Sequence, residues 1–172
     1  MKRRGAAALA VLLAMLLGGC KTEKPQKEES MPATEEITAV KLTAGDEKEA
    51  LYLEDNGSFL GKGYRFCEYN HSMVYKLPLK TDAGEYTLTL DIANQYKVEL
   101  SADGEDWSLV AQEKNRLNLA VSRGVANRTT VEAGVADVLG KVPPTLYVRI
   151  SDNFPDDPWG GLLYSLTCAV KE

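Results

Sequence analysis

The chain has 172 residues, with 20 basic and 25 acidic side chains, a single histidine and a net charge of −5. An acidic surface with no Lys/Arg cluster beyond residues 2–4 repels nucleic acid and anionic headgroups, which argues against nucleic acid as a partner. One histidine leaves few ways to pair a nucleophile with an oriented base, and Ser122 stands in Val-Ser-Arg-Gly rather than a Gly-x-Ser-x-Gly turn, so no enzyme is expected.

In chain order, Lys2, Arg3 and Arg4 precede an apolar stretch from Ala6 to Leu17, which ends in Leu17-Gly18-Gly19-Cys20. A basic start, a short apolar core and small residues before a cysteine predict a secretory leader, too short to span a bilayer. The Leu-Gly-Gly-Cys ending resembles a bacterial lipobox. That resemblance implies that residues 1–19 are a lipoprotein signal peptide and that Cys20 carries acyl chains such as palmitate. It also implies an exported protein, lipid-anchored at a cell membrane or outer membrane. Each buried CH₂ contributes about 0.8 kcal/mol, so two or three chains anchor the protein and nothing else in it needs to touch lipid. Without the leader, 17 basic residues face 25 acidic ones, a net charge of −8. Residues 20–36 are rich in Lys, Thr, Glu, Pro, Gln and Ser, a composition that cannot bury enough surface to fold. They read as a tether with a reach of about 20 Å. Residues 37–172 are the right size for one domain around one core.

Within that domain Met73, Tyr75, Leu77 and Leu79 alternate with other residues, with Pro78 favouring an edge or an end. Tyr86, Leu88, Leu90 and Ile92 alternate with Thr87, Thr89 and Asp91, the period of a strand with one buried face. Tyr96, Val98 and Leu100 repeat the pattern, and Asn94-Gln95 is short enough to make the two a hairpin. Asp103-Gly104 supplies a second hairpin turn, after which Trp107, Leu109 and Ala111 alternate, with Trp107 expected to cover the edge of the core. Val135 to Leu139 allows one helical turn at most, and two more strands follow, with Leu146, Val148 and Ile150 inward and then Tyr164, Leu166, Cys168 and Val170 inward. Many short strands with regular turns predict an all-β fold, an antiparallel β-sandwich or jelly roll.

The run Tyr96-Lys97-Val98-Glu99-Leu100-Ser101, the Asp103-Gly104 turn and Trp107 resemble the hairpin of discoidin-like, galactose-binding-fold domains. Leu146-Tyr147-Val148-Arg149-Ile150 is similar to that family's penultimate strand. The resemblance implies a galactose-binding-domain-like jelly roll. Many members are carbohydrate-binding modules, while others bind protein or lipid or only pack domains together. The chain departs from the pattern in the acidic, aromatic stretch 151–161.

That stretch holds the best candidate site. Trp159 offers a flat apolar face for a sugar ring, and Asn153, Asp156 and Asp157 offer acceptors for its hydroxyls. Gly160 and Gly161 permit close backbone approach. Two readings stand: a ligand loop, or an inward Trp159 plug with Asp156 and Asp157 capping turns beside Pro155 and Pro158. No cofactor is expected, but Asp152, Asp156 and Asp157 are the oxygen donors for a structural calcium; Asp55-Asn56-Gly57 is a second place for one, and neither matches an EF-hand. His71 and Tyr64 lie in a polar, aromatic stretch that belongs either to a ligand site at the rim or to solvent. Cys67 and Cys168 are an even pair in an exported chain. They either form a disulfide closing a loop of about 100 residues or pack as two buried thiols. The expected partner is a carbohydrate, bound without catalysis; the alternative is an envelope protein on which the domain docks as a structural or adaptor module.

Overall fold

A computed structural model describes residues 35–114, 128–151 and 160–171. These residues form nine strands: β1 (Ala39–Thr43), β2 (Leu53–Leu60), β3 (Arg65–Pro78), β4 (Tyr86–Ala93), β5 (Tyr96–Ser101), β6 (Ser108–Glu113), β7 (Thr129–Gly134), β8 (Thr145–Ser151) and β9 (Leu162–Val170). Two short helices, α1 (Glu47–Ala50) and α2 (Val135–Leu139), interrupt them, the second being the single turn that the sequence allows.

The fold is an antiparallel β-sandwich. One layer runs β6-β5-β8-β3-β2 and the other β7-β4-β9-β1, and the layers meet where Arg65 and Phe66 of β3 pair with Leu163 and Leu162 of β9. Between the layers lie Met73, Tyr75 and Leu77 of β3, Leu88 and Leu90 of β4, Val98 and Leu100 of β5, Leu146, Val148 and Ile150 of β8 and Leu166 of β9, all fully buried or nearly so. Each such leucine or isoleucine contributes about 1.5–3 kcal/mol by leaving water, which fixes the register wherever one face is apolar. Pro78 ends β3 opposite Thr145, a place where a missing N–H disrupts nothing further along the strand.

The structure corrects three expectations. The Asn94-Gln95 connection is not a hairpin, because β4 pairs with β7 and β9 while β5 pairs with β6 and β8. With Asn94 at φ 67°, the connection carries the chain from one layer to the other. Second, the β5–β6 hairpin forms, but a bulge at Val98/Glu99 shifts its register, so Leu109 pairs with Glu99 and is 51% exposed. One inserted residue exchanges inner and outer faces, and Trp107 therefore lies half-buried on the outside and not at the core edge. The same slip at Asp91/Ile92 buries Leu163 and leaves Tyr164 outside.

Third, Cys67 and Cys168 are both buried and keep their thiols, so they do not form the disulfide that the sequence leaves open. The β3–β9 register sets Cys67 opposite Gly161, seven residues from Cys168 along β9. At about 3.3 Å per residue that is some 23 Å, against about 4.4–6.8 Å between the Cα atoms of a disulfide. Cys67 Sγ instead donates to the Ile150 carbonyl at 3.4 Å, and burial pushes the Cys168 thiol up to about 12.

Candidate functional site

The rim that the sequence singles out is assembled by strand register. Ser72 of β3 pairs with Ser151, and the Gly160 amide donates to the Cys67 carbonyl at 2.8 Å, so Ser151 and Gly160 both sit against the residues that flank 68–71. Across those four β3 residues, β2 supplies only Gly57, since Asn56 pairs with Ser72 and Ser58 with Cys67. Asn94 Nδ2 donates to the Gly160 carbonyl at 3.0 Å, which ties the layer-crossing turn to the same end. His71 thus stands beside the roots of the candidate loop. Its ring lies over Gly57, where an added Cβ would come within 3.0 Å of it and φ is +84°. His71 Nδ1 and both amide atoms of the fully buried Gln95 have no hydrogen-bond partner. Asp152, Asn153, Asp156, Asp157 and Trp159 lie outside the described residues, as does Cys20. Gly161 is tight for an internal reason, because a Cβ there would sit 2.8 Å from Tyr96 Cβ.

Tyr64 is placed elsewhere. Its ring meets Tyr164 edge-on at 5.9 Å and Phe66 at 6.1 Å, and Phe66 stacks on Phe59 at 5.5 Å. The Arg128 guanidinium lies 3.8 Å over the Tyr164 ring while it pairs with Asp91 through Nε at 2.7 Å and through Nη2. Gly61 makes the Tyr64 position feasible, since a Cβ would fall 2.3 Å from its ring. Phe59, 44% exposed, extends this apolar cluster.

The most organised chemistry lies on the outer face of the β6-β5-β8-β3-β2 layer. One cross-strand row runs Leu109, Glu99, Arg149, Val74, Glu54, and the next runs Trp107, Ser101, Tyr147, Lys76. Arg149 stacks its guanidinium 4.0 Å over the Trp107 ring. It also donates to Glu99 Oε2 through Nε at 2.9 Å and Nη2 at 2.7 Å, while Lys97 Nζ reaches Oε1 at 2.6 Å. Burial alone raises the Glu99 pKa, but the hydrogen bonds from Lys97 and Arg149 outweigh it and hold this carboxyl below its usual range. Lys76 sits 3.4 Å from Glu54 and 5.5 Å over the Tyr147 ring. At one end, Asp103 Oδ1 accepts from the Ser101 hydroxyl and from the Glu105 and Asp106 amides, which locks the turn beside Trp107.

Sequence reasoning overlooked this face. It expected Trp107 to cover the edge of the core and gave Glu99 no role, whereas Glu99 is 5% exposed. The available signal was the opposite-charge pattern Lys97, Glu99, Arg149 on two alternating segments, which the structure pairs as β5 and β8. Among the described residues no three His, Cys, Asp or Glu side chains gather as a metal site.

No protein-family model matches the chain, and no curated protein matches its sequence. Three solved structures share a similar arrangement. One is the family GH115 4-O-methyl-α-glucuronidase BtGH115A, with specificity for decorated arabinogalactans, at 11% identity and TM-score 0.48, covering 81% of this chain and 18% of that one. Another is the xylan-binding module CBM15, at 11% identity and TM-score 0.41, covering 78% of this chain and 97% of that one. A third is a Xylanase10C mutant from Cellvibrio japonicus in complex with xylopentaose, at 10% identity and TM-score 0.42, covering 81% of this chain and 28% of that one. The chain therefore spans less than a third of the length of the first and third of these proteins, and nearly all of the second.

Proposed function

We propose that the domain is a non-catalytic carbohydrate-binding module, held at the cell envelope by acyl chains on Cys20 and displayed on the tether 20–36. The observation that carries this reading is the half-buried Trp107 on an outer sheet face, with Tyr147 two strands away and charged hydrogen-bonding groups fixed between them. Two strand spacings are roughly 9–10 Å, enough for a glycan to meet both aromatic residues along its length. Sugars bind where an apolar ring surface adjoins a few oriented donors and acceptors, and Arg149, Lys97 and Lys76 supply the donors. Binding without catalysis fits the carboxylates present. Glu99 has both oxygens occupied by cationic donors and Glu54 is paired with Lys76, so neither is poised to give or take a proton at a glycosidic bond.

The test is a glycan array followed by calorimetry on the purified protein, with Trp107→Ala and Trp159→Ala in parallel. Trp107→Ala should weaken binding at least about 10-fold, equivalent to about 1.4 kcal/mol, with the fold intact by circular dichroism. Loss in Trp159→Ala alone would move the site to the rim loop, and unchanged binding in both would end the reading.

A second reading, docking on an envelope protein, draws on a different patch. Phe59 exposes apolar area beside Tyr64, Phe66 and Tyr164, the residue types that anchor protein interfaces. Cross-linking in cells with Phe59→Ser would separate the two, because only a docking role loses its partner in that variant.

A further inference from the structure

We infer that the glycan taken by the outer face of the β6-β5-β8-β3-β2 layer is acidic, and that Lys97 and Arg149 receive a sugar carboxylate beside Trp107. The inference rests on the carbohydrate reading above and adds the class of sugar, a uronic acid.

The argument is one of charge accessibility. Among the described side chains of this face there are three cations, Lys76, Lys97 and Arg149, against two carboxylates, Glu54 and Glu99, in a chain whose net charge is −5. Glu99 is covered by its partners, with a side chain 6% exposed, whereas Lys97 is 36% and Arg149 28% exposed. The negative charge is sealed and the positive charge faces outward. Arg149 commits Nε and Nη2 to Glu99 and its flat face to Trp107, which leaves Nη1 with two N–H groups for a ligand. Lys97, one row further along, keeps its ammonium partly in solvent. A carboxylate that takes both receives charge-assisted hydrogen bonds, stronger than those a hydroxyl offers at the same place.

The rest of the face sets the polarity of the site. The turn at Asp103, Glu105 and Asp106 stands at the Ser101 end, and Asp103 is already satisfied by the backbone amides of Asp106 and Glu105. Lys76 at that end is answered by Glu54. Among the described side chains of this face, the cation in excess therefore belongs to the Lys97–Arg149 end, where two cations share Glu99. Glu99 holds both cations apart at fixed distances, so the site needs no rearrangement to accept an anion.

The experiment is calorimetry on the lipidated protein in neutral detergent micelles, with a glucuronic-acid-bearing oligosaccharide, the same oligosaccharide after carboxyl reduction, and a sulfated oligosaccharide of equal length. The acidic chain should bind at least 10-fold more tightly than the reduced chain, and 0.5 M NaCl should narrow that gap. Lys97→Gln, a substitution at a partly exposed side chain that leaves Arg149 on Glu99, should lower affinity for the acidic chain several-fold and for the reduced chain by clearly less, so that the gap between the two chains narrows. Equal binding of acidic and reduced chains would overturn the inference while leaving carbohydrate binding intact. Equal binding of the sulfated chain would replace the carboxylate assignment with a general anion site. Binding of none of the three, with the unsubstituted protein also silent on a glycan array, would overturn both readings.

Discussion

Two carboxylates in this domain are nearly sealed from water and each is held by an arginine, yet they are built for different ends. Glu49 of α1, 1% exposed, receives Arg65 Nε at 2.9 Å and the Tyr75 hydroxyl at 2.6 Å on Oε1, and Arg65 Nη2 at 3.0 Å and the Gly45 amide at 2.7 Å on Oε2. Its partners are themselves interior: Tyr75 is fully buried and the Arg65 side chain is 13% exposed. Glu99, 5% exposed, receives only cations, and both keep a solvent-facing side. The first arrangement is closed and staples α1 and the end of β1 to β3. The second is half open, a carboxylate whose two cations keep a side toward solvent. What separates a clamp from a platform is thus how buried the partners are, not how buried the carboxylate is.

The largest effect should come from breaking the closed arrangement. Glu49→Ala strands the Arg65 guanidinium and the Tyr75 hydroxyl in the interior, and removal of one member of a buried charged network costs about 3–5 kcal/mol. Urea denaturation followed by fluorescence should show that loss as a lower midpoint with an unchanged slope; a shift under about 1 kcal/mol would mean the network staples nothing. The same group makes stability fall in acid. Burial alone raises the Glu49 pKa, but hydrogen bonds from Arg65, Tyr75 and Gly45 together outweigh it, so the folded value lies below the 4.5 of an ordinary glutamate. A depressed carboxylate contributes stability that is complete above its unfolded pKa and is lost as pH falls through the folded one. Stability should therefore hold near neutrality and decline below about pH 4.5, with Glu49→Gln flattening part of that slope.

The open arrangement should be more forgiving. Glu99→Ala frees Lys97 and Arg149 to turn toward water, which both already touch, so the expected cost is about 1 kcal/mol. A loss equal to that of Glu49→Ala in the same urea series would erase the distinction between the two sites.

Much of the sandwich was legible because an apolar face leaves a period of two wherever a strand stays regular. Tyr86 to Ile92 and Leu146 to Ile150 face the core as the alternation predicts. Both misread faces follow from bulges, which leave no mark in the alternation itself. Trp107, Leu109 and Ala111 look in phase, but the register slip at Val98/Glu99 lies between the last two. Tyr164, Leu166 and Cys168 look in phase, but the slip at Asp91/Ile92 turns Tyr164 out. Each slip puts an aromatic residue on the surface, where it stacks under an arginine. The site was therefore hard to read for the same reason the faces were. β1, β2 and β7 were not picked out because their inward residues are few: β7 reads Thr-Thr-Val-Glu-Ala-Gly and buries none of its side chains fully. Glu49 escaped notice since a charged residue in a four-residue helix has no sequence mark of burial.

The smallest effect expected on the face concerns Glu54 and Lys76. Their side chains are 56% and 48% exposed and 3.4 Å apart, so water screens the attraction and holding two long side chains together offsets most of it. Glu54→Gln should change stability by no more than about 0.5 kcal/mol in urea. Its consequence for binding points the other way. Unpaired, Lys76 adds a second accessible cation to a face already positive at the Lys97–Arg149 end, so an acidic oligosaccharide should bind Glu54→Gln somewhat more tightly in low salt, and equally in 0.5 M NaCl. Weaker binding would mean that Glu54 itself contacts the sugar, and the division of this face into an answered end and an unanswered end would have to be redrawn.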